Sequence, residues 1–334
     1  MKIIGQAAVT RPVIVPKPRR KVVDVVLWIL VVPAAVWAVA RLSGSERGPL
    51  VQFMAFTPYV AGWSLLPVVL AVAGRRWTTA VVAAIVVVVF AAIVLPRART
   101  GDQGPSAGVA LHVMTSNMYA GGADPATVVK LVRENDVAVL AVQEFTPAAR
   151  KALTDAGLDQ LLPYASLADT PDYAGSGVYS RFPVTGAGWK QNLGGFRQAY
   201  ATIQPPGAAP LLIESAHPLA PSSLTARKGW QTDLANEPEA DPNGPPRILL
   251  GDFNATLDHA SLRALIATGY RDAADATGKG LAATWPYYGQ FVLPRVTIDH
   301  VLVDKRIGVR ETSAHRIPRT DHRALIASLT VPAA

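Results

Sequence analysis

The sequence has no cysteine among its 334 residues, and only 17% of those residues are charged. The lack of cysteine excludes a disulfide scaffold, thiol catalysis and a cysteine-ligated zinc site. Disordered chains have many charges and too few apolar residues to form a core. This chain has few charges and 50% hydrophobic residues, so it is not a disordered chain. The sequence therefore belongs to a folded protein, while its cellular compartment stays open.

The net charge of +8 is distributed unevenly along the chain. Residues 2–21 contain six basic residues and no acidic one, and residues 22–96 have a net charge of +2. The remaining 238 residues contain 22 basic and 22 acidic residues. This distribution excludes a wholly basic nucleic-acid binder, because such a protein carries a basic surface on its binding domain.

The N-terminal third contains three long apolar stretches, which cover residues 22–40, 50–73 and 78–95. A helix needs about 20 apolar residues to cross the hydrocarbon core of a membrane, so the sequence predicts three transmembrane helices. Buried helices of a soluble protein are an alternative, although the stretches have no polar face. In a second alternative the first stretch is a cleaved signal peptide, which its basic start and the run Ala38-Val39-Ala40 resemble.

Basic residues beside apolar stretches indicate which side of the membrane a loop occupies. The basic tail, residues 1–21, predicts a cytoplasmic N-terminus, and Arg75-Arg76 predict that the second short loop is also cytoplasmic. Three crossings of the cell membrane then place residues 109–334 on its extracytoplasmic side. The sequence therefore predicts a multi-pass membrane protein. Residues 97–108 are rich in glycine, proline and small polar residues, which is typical of a short linker.

From residue 109 onward, short apolar runs alternate with turn residues and amphipathic stretches. This pattern predicts an α/β domain with sheets inside and helices outside. Asp124 is the expected N-cap of a helix over residues 125–134, and further helices are expected over residues 147–156 and 224–234. The predicted strands cover residues 109–115, 137–142, 177–180, 199–203, 211–215, 248–250, 296–303 and 323–330.

Polar side chains stand next to the ends of these predicted strands, where catalytic residues commonly line a shared cleft. Most of them carry carboxylate or carboxamide oxygens, which suit Mg²⁺ or Mn²⁺ as ligands. A divalent ion can stabilise the charge of a reacting phosphate. The inventory matches metal-assisted hydrolysis of a phosphoester by water. The candidate residues are Asn117, Glu144, His217, Asp252, Asn254, Asp299, Asp321 and His322.

All of these residues except His217 lie in motifs whose order and spacing resemble the endonuclease/exonuclease/phosphatase superfamily over about residues 109–331. His217 matches a histidine that follows a strand in many members. Asn117 follows a strand, and the other motifs come in the order found in the superfamily. The motifs are VQE (142–144), SGVYSRFPV (176–184), GDFN (251–254), TIDHVLV (297–303) and TDHRAL (320–325).

The resemblance implies a four-layer α/β sandwich with two packed mixed β-sheets flanked by helices. It also implies a metal site in which Glu144 is the main ligand, with Asn117 and Asp321 close by. Tyr119 stands where some nuclease branches of the superfamily have an acidic residue. The resemblance therefore does not imply a second metal site.

The resemblance assigns roles to five further residues. Asp252 would orient or deprotonate the attacking water, and Asn254 would hold the phosphate region. Asp299 would pair with His322. His217 would contact the phosphate or the leaving group.

Simpler roles compete with some of these interpretations. Asp252 and Asn254 alone could merely shape a turn. His300 points to the opposite strand face from Asp299 and is therefore predicted to be non-catalytic. Trp285 could line the cleft or only pack, and Tyr164 is expected in the core.

Three features narrow the substrate. The domain is charge-neutral, which makes a nucleic-acid substrate less expected. It is also tethered close to the membrane, and it is predicted to lie on the extracytoplasmic side.

The layout of three predicted spans followed by an extracytoplasmic domain resembles the VanJ-type membrane proteins of actinomycetes, which are linked to teicoplanin resistance. That resemblance implies that the partner is a lipid-linked (undecaprenyl) pyrophosphate of cell-wall synthesis. An extracellular nuclease, a phospholipase-C-like phosphodiesterase and a non-catalytic binding protein are the alternatives, and the sequence gives no oligomeric state.

Overall fold

The computed structural model describes residues 18–287 and 294–334. Most of the predicted basic tail, residues 1–21, lies outside the described residues. The described residues form an N-terminal helical bundle and one α/β domain, which are in contact with each other.

The N-terminal helices are α1 Pro18–Ser43, α2 Leu50–Met54, α3 Thr57–Trp63, α4 Leu65–Ala73 and α5 Trp77–Val94. Within the described residues, two helical stretches are long and apolar enough to cross a membrane, Lys21–Ser43 and Trp77–Ala98, which is weak evidence for a membrane protein. The prediction of one continuous helix over residues 50–73 is wrong. The stretch breaks before α3, where Pro58 has no amide hydrogen for a helix running through from α2.

The helices α1 and α5 of the bundle pack through apolar side chains. Ala34 and Ala38 of α1 meet Val86 and Phe90 of α5 in one apolar cluster. At one end of the bundle, Arg76 in the turn after α4 pairs with Asp24 near the start of α1, at 3.1 Å. The opposite ends of α1 and α5 meet the domain, so successive helices run back and forth.

The domain contains two six-stranded mixed sheets flanked by helices, as predicted. The first sheet has the strand order β11-β12-β1-β2-β4-β3, and the second has the order β5-β6-β7-β8-β10-β9. The strands are β1 Val109–Asn117, β2 Val139–Gln143, β3 Tyr164–Ala168, β4 Ser176–Ser180, β5 Val184–Gln191, β6 Arg197–Ile203, β7 Leu211–Ala216, β8 Arg247–Asp252, β9 Tyr270–Asp272, β10 Asp299–Asp304, β11 Gly308–Arg316 and β12 Arg323–Val331.

Helices flank both sheets. They are α6 Pro125–Glu134, α7 Pro147–Asp155, α8 Leu158–Leu161, α9 Ala226–Ala235, α10 Ala260–Ala267 and α11 Ala273–Ala276. The first three pack on the first sheet, whereas α9 and α10 pack on the second. The short helix α11 packs against the core between the sheets, through Ala273 and Ala276. The predicted N-cap of α6 is confirmed, because the Asp124 carboxylate accepts a hydrogen bond from the amide of Thr127 at 2.9 Å.

The candidate site lies at one edge of this sandwich because of the strand directions. The pairs β1–β2 and β7–β8 are parallel, so the strands of each pair end at the same edge. The antiparallel partners β12 and β10 begin where β1 and β8 end. The inner faces of both sheets form the main core, which includes Val113, Ala141, Ile213 and Leu250.

The domain is seated directly on the bundle. Val51 of α2 is fully buried among the side chains beneath α9 and α10, and its carbonyl lies 2.8 Å from Nε2 of His259. Residues 97–108, which composition identifies as a linker, lie along the domain. Thr100 bridges Thr277, and the Arg97 side chain is buried against Asp258.

Candidate active site

The strand ends bring the eight predicted residues together at one edge of the two sheets. Asn117 ends β1 and Glu144 follows β2 in the first sheet, whereas His217 follows β7 and Asp252 ends β8 in the second. Asp299 begins β10, and His322 directly precedes β12. The site is therefore built between the sheets.

The carboxamide of Asn117 joins the two sheets at the centre of the site. Its Nδ2 donates to Oε1 of Glu144 at 3.2 Å and to Oδ2 of Asp252 at 3.1 Å. Its Oδ1 accepts a hydrogen bond from the amide of Tyr119 at 2.9 Å. In this arrangement Asn117 orients two carboxylates, and its role as a metal ligand stays a prediction.

Backbone geometry aims two of these side chains. Glu144 and Asn254 have φ angles of 51° and 49°, in the left-handed region that most residues avoid. In the GDFN motif, a Cβ on Gly251 would lie 1.9 Å from the carbonyl oxygen of Ala216. Only glycine lets β7 and β8 approach this closely, so the motif does more than form a turn.

Two histidines flank the Asp252 carboxylate, and their environments give them different charges. Nδ1 of His322 lies 2.8 Å from Oδ2 of Asp299, and its Nε2 lies 3.6 Å from Oδ2 of Asp252. Burial lowers the pKa of His322, but Asp299 and Asp252 outweigh burial and hold that pKa above its usual value. Burial lowers the pKa of His217, whose Nε2 lies 3.9 Å from Asp252, to about 3. Around neutral pH, His322 is therefore cationic and His217 neutral.

The site concentrates buried negative charge. Burial raises the pKa of Glu144 and of Asp252, and nearby carboxylates add to both shifts. Among the described residues, Oδ1 of Asp299 and Oδ1 of Asp321 are buried and accept no hydrogen bond. Oxygen atoms of this kind suit a divalent cation, which would offset the crowded charge.

Among the described residues, Asp252, Asp299 and His322 have ligand atoms within 4.8 Å of one another and could hold a metal ion. His322 could be one of its ligands only in the neutral form, because an imidazolium has no lone pair to offer. Asp321 faces the same space, with its Oδ1 3.9 Å from Nε2 of His322. The predicted ligand set of Asn117, Glu144 and Asp321 stays a prediction.

Some residues of the site were not predicted, or were predicted only as alternatives. The indole of Trp285 donates to Oδ2 of Asp321 at 2.8 Å, so it does line the site. Thr284 accepts hydrogen bonds from the amides of Ile298 and Asp299 at 3.1 Å. The predicted residue Asn254 also has its contacts here: its backbone amide donates to Oδ1 of Asp252 at 2.8 Å, and its side chain donates to the carbonyl of Pro218 at 3.1 Å. No sequence signal marks Thr284, because its contacts depend on tertiary structure.

His300 lies outside this site, as predicted. Its Nδ1 is 2.6 Å from Oδ2 of Asp272, and its Nε2 is 2.9 Å from the carbonyl of Ala255. The structural role of His300 is to join β10 to the segments around Asp272 and Ala255.

The family model for the endonuclease/exonuclease/phosphatase family matches residues 114–322, more than half of the chain. The chain belongs to this family. The matched residues include all eight candidates. Members of this family are typically metal-dependent phosphodiesterases and related hydrolases, so this family member has a hydrolase fold.

Solved structures agree on the fold. An endonuclease/exonuclease/phosphatase protein from Beutenbergia cavernae has a TM-score of 0.53 at 15% identity, with 67% of this chain and 72% of that chain covered. TDP2 from Caenorhabditis elegans has a TM-score of 0.54 at 15% identity, with coverage of 72% and 79%. D. rerio TDP2 complexed with a single-strand DNA product has a TM-score of 0.52 at 14% identity, with coverage of 66% and 99%. No curated protein matches the chain.

Proposed function

We propose that this protein is a membrane-anchored, divalent-metal-dependent phosphoester or pyrophosphate hydrolase that acts on a lipid-linked pyrophosphate outside the cytoplasmic membrane. The observation that carries the proposal is the contact between the apolar helical bundle and the loops beside the candidate active site. This contact favours a substrate whose phosphate is presented at the membrane surface.

Two contacts define this proximity. Nε2 of Gln52, in α2, donates to the carbonyl of Pro221 at 2.8 Å. Pro221 lies four residues after His217, and Pro218 of the same loop accepts the hydrogen bond from Asn254. On the other side, the hydroxyl of Tyr59 donates to the carbonyl of Arg295 at 2.7 Å, four residues before Asp299. Both segments that lead into the site therefore touch the bundle.

The charge distribution supports a lipid over a nucleic acid. The 238 residues from Arg97 onward carry no net charge, whereas a protein that neutralises several nucleic-acid phosphates needs a basic surface. D. rerio TDP2 shares the fold and forms a complex with a single-strand DNA product, so a nuclease is the second candidate. Fold similarity at 14% identity does not decide between them.

The residues of the site would divide the chemistry as follows. Asp252, held by Asn117 and Asn254, accepts the proton of the attacking water. His322, kept cationic by Asp299, offsets charge on the phosphate oxygens, and neutral His217 offers a hydrogen bond. A divalent ion held by Glu144 and Asp321, or by the carboxylates of Asp252 and Asp299, would supply electrostatic stabilisation of the phosphate. Cationic His322 has no lone pair to offer this ion.

The substrate is tested by measuring phosphate release from undecaprenyl pyrophosphate by the full chain in detergent with Mg²⁺, beside cleavage of single-stranded DNA. We expect lipid turnover that the Asp252→Asn variant abolishes. DNA cleavage without lipid turnover would establish the nuclease instead.

We also propose that the protein belongs to the VanJ type and contributes to teicoplanin resistance. The helical bundle followed by a hydrolase domain supports this assignment. Expression in a susceptible actinomycete should raise the teicoplanin concentration needed to stop growth, and the Asp252→Asn variant should not.

The proposed orientation places the Arg75-Arg76 turn in the cytoplasm and the domain outside. It is supported by basic residues at one end of the bundle and by the contact of the other end with the domain. Because the chain has no cysteine, single-cysteine variants can be labelled with a membrane-impermeant maleimide. Lys151→Cys, at a side chain that is 76% exposed, should label in intact cells. Arg75→Cys should label only after permeabilisation, and the reverse pattern would refute the orientation.

Glu144 is the predicted main metal ligand. Its replacement by glutamine should raise the Mg²⁺ concentration for half-maximal activity about 10-fold or more, because a neutral amide is a weaker ligand. The matched control is Glu134→Gln at an exposed position on α6, which should leave the Mg²⁺ dependence unchanged. An unchanged Mg²⁺ dependence of the Glu144 variant would show that Glu144 is not a ligand and would favour the carboxylates of Asp252 and Asp299 as the metal site.

A further inference from the structure

A cavity of about 610 Å³ lies where the ends of α1 and α5 meet the domain. None of the eight candidate active-site residues lines it. Its wall contains three carboxylates and six cationic side chains, which are Arg41, Arg97, Arg99, Arg263, Arg271 and Lys305. We propose that this cavity binds the phosphate headgroup of an anionic phospholipid of the surrounding membrane. The proposal rests on the membrane location proposed above and not on the identity of the substrate.

The wall has three carboxylates against six cations, and Asp258 outside the wall pairs with two of those cations, Arg41 and Arg97. Asp102 is paired with Arg271 at 2.6 Å, and Asp272 is paired with His300 at 2.6 Å. The third, Asp275, has a pKa that is raised by burial and by Asp272. Among the described residues, no carboxylate oxygen lies within 4 Å of the side-chain nitrogens of Arg99, Arg263 or Lys305, so none of these three cations is held in a direct ion pair.

Arg263 has no direct ion pair, although Glu46 and Asp258 lie close enough to act on its charge. Its guanidinium donates to the backbone carbonyls of Asp258 and Arg41, and neither acceptor carries a charge. Burial and the nearby Arg41 lower the pKa of Arg263 to about 10. A phosphate beside this guanidinium would add the negative charge that the cavity lacks.

The cavity also has an apolar wall, formed by Ala92 and Ile93 in the last turns of α5 and by Leu257 and Ile266 of the domain. Ile93 belongs to the candidate span Trp77–Ala98, and Arg41 belongs to the candidate span Lys21–Ser43. The cavity therefore opens at the level where the apolar helices end. In a phospholipid, the phosphate would contact the basic wall and the acyl chains would contact the apolar wall, whereas a soluble anion would contact only the basic wall.

Binding is measured by native mass spectrometry of the full chain in a neutral detergent. The probes are phosphatidylglycerol, phosphatidylcholine with the same acyl chains, and inorganic phosphate. We expect phosphatidylglycerol to bind on the order of 10-fold more tightly than phosphatidylcholine, since each basic residue near the surface attracts an anionic lipid. Equal binding of the two lipids would overturn the proposal. So would displacement of phosphatidylglycerol by inorganic phosphate at equal concentration.

The double variant Arg99→Gln, Lys305→Gln changes two exposed cations of the cavity and should reduce the lipid preference to about 2-fold or less. The matched control is Lys130→Gln, Arg133→Gln on α6, which should keep the preference. A preference that survives the first double variant would also overturn the proposal.

The Asp252→Asn variant should bind phosphatidylglycerol like the wild type. Its binding therefore separates this inference from the hydrolase proposal. Lipid selectivity without turnover in the wild type would refute only the hydrolase. Turnover without lipid selectivity would refute only this site.

Discussion

Asp252→Asn should lower kcat for a generic phosphodiester, such as bis(4-nitrophenyl) phosphate, by about 10²- to 10⁴-fold, the range for loss of a general base. Oδ2 of Asp252 accepts a hydrogen bond from Asn117 and lies within 4 Å of both histidines. Asparagine keeps the shape of this side chain but cannot accept a proton. The measurement is steady-state hydrolysis by the full chain in detergent with Mg²⁺.

The same substitution should leave the melting temperature unchanged or raise it. Burial raises the pKa of Asp252, and the nearby Asp299 and Glu144 add to that shift. A carboxylate in this position costs folding free energy, so a neutral isostere relieves the native state. High activity combined with a lower melting temperature would show that Asp252 is structural.

Asp304→Asn is the matched control, since Asp304 is also buried and lies on β10 with Asp299. Its carboxylate holds Arg306 at 2.6 Å, far from the catalytic groups along the strand. We expect the opposite pattern, with a lower melting temperature and kcat within about 3-fold of the wild type. The contrast between the two variants distinguishes a catalytic carboxylate from a structural one.

Asp258→Asn should lower the free energy of unfolding by about 3–5 kcal/mol, as expected when one partner of a buried ion pair is removed. The Asp258 carboxylate is fully buried and binds Arg41 at 2.7 Å and Arg97 at 2.6 Å. Burial raises the pKa of Asp258, but these guanidinium groups outweigh it and hold that pKa below its usual value. Without the carboxylate, two buried cations remain unpaired where the bundle meets the domain.

Denaturant unfolding of the detergent-solubilised chain measures this loss. The comparison variant is Asp136→Asn, which removes the exposed partner of Arg181 at 2.7 Å. Exposed pairs contribute little, so this variant should unfold like the wild type. Equal stability of both variants would show that the junction between bundle and domain does not depend on Asp258.

The sequence predicted the interior strands of both sheets and missed the edges. All eight predicted strands are interior, whereas β3, β5, β9 and β11 are the four edge strands. Interior strands are buried on both faces and form clear apolar runs. An edge strand such as β5 is mostly exposed, so its composition does not distinguish it from a loop. The expected core position of Tyr164 is wrong for the same reason, because this residue begins edge strand β3 and is 40% exposed.

The candidate site was easier to predict than its geometry. Polar residues at the ends of buried strands stand out, which is why all eight candidates were found. Their partners do not stand out, because Thr284 and Trp285 reach the site only through folding of the chain. The hydrogen bonds that Asn117 makes to carboxylates in both sheets could not be derived from spacing either.

The sequence by itself determined the family, the interior of the domain, the candidate residues and the division into an apolar basic part and a charge-neutral part. These features are local, because they depend on strand-length runs, motif order and composition. Only the tertiary structure decided that the middle apolar stretch breaks into shorter helices. It also brought the bundle against the loops beside the active site and gathered six cations around one cavity. Contacts between residues more than 150 positions apart, such as Arg97 with Asp258, create these features, and no local pattern records them.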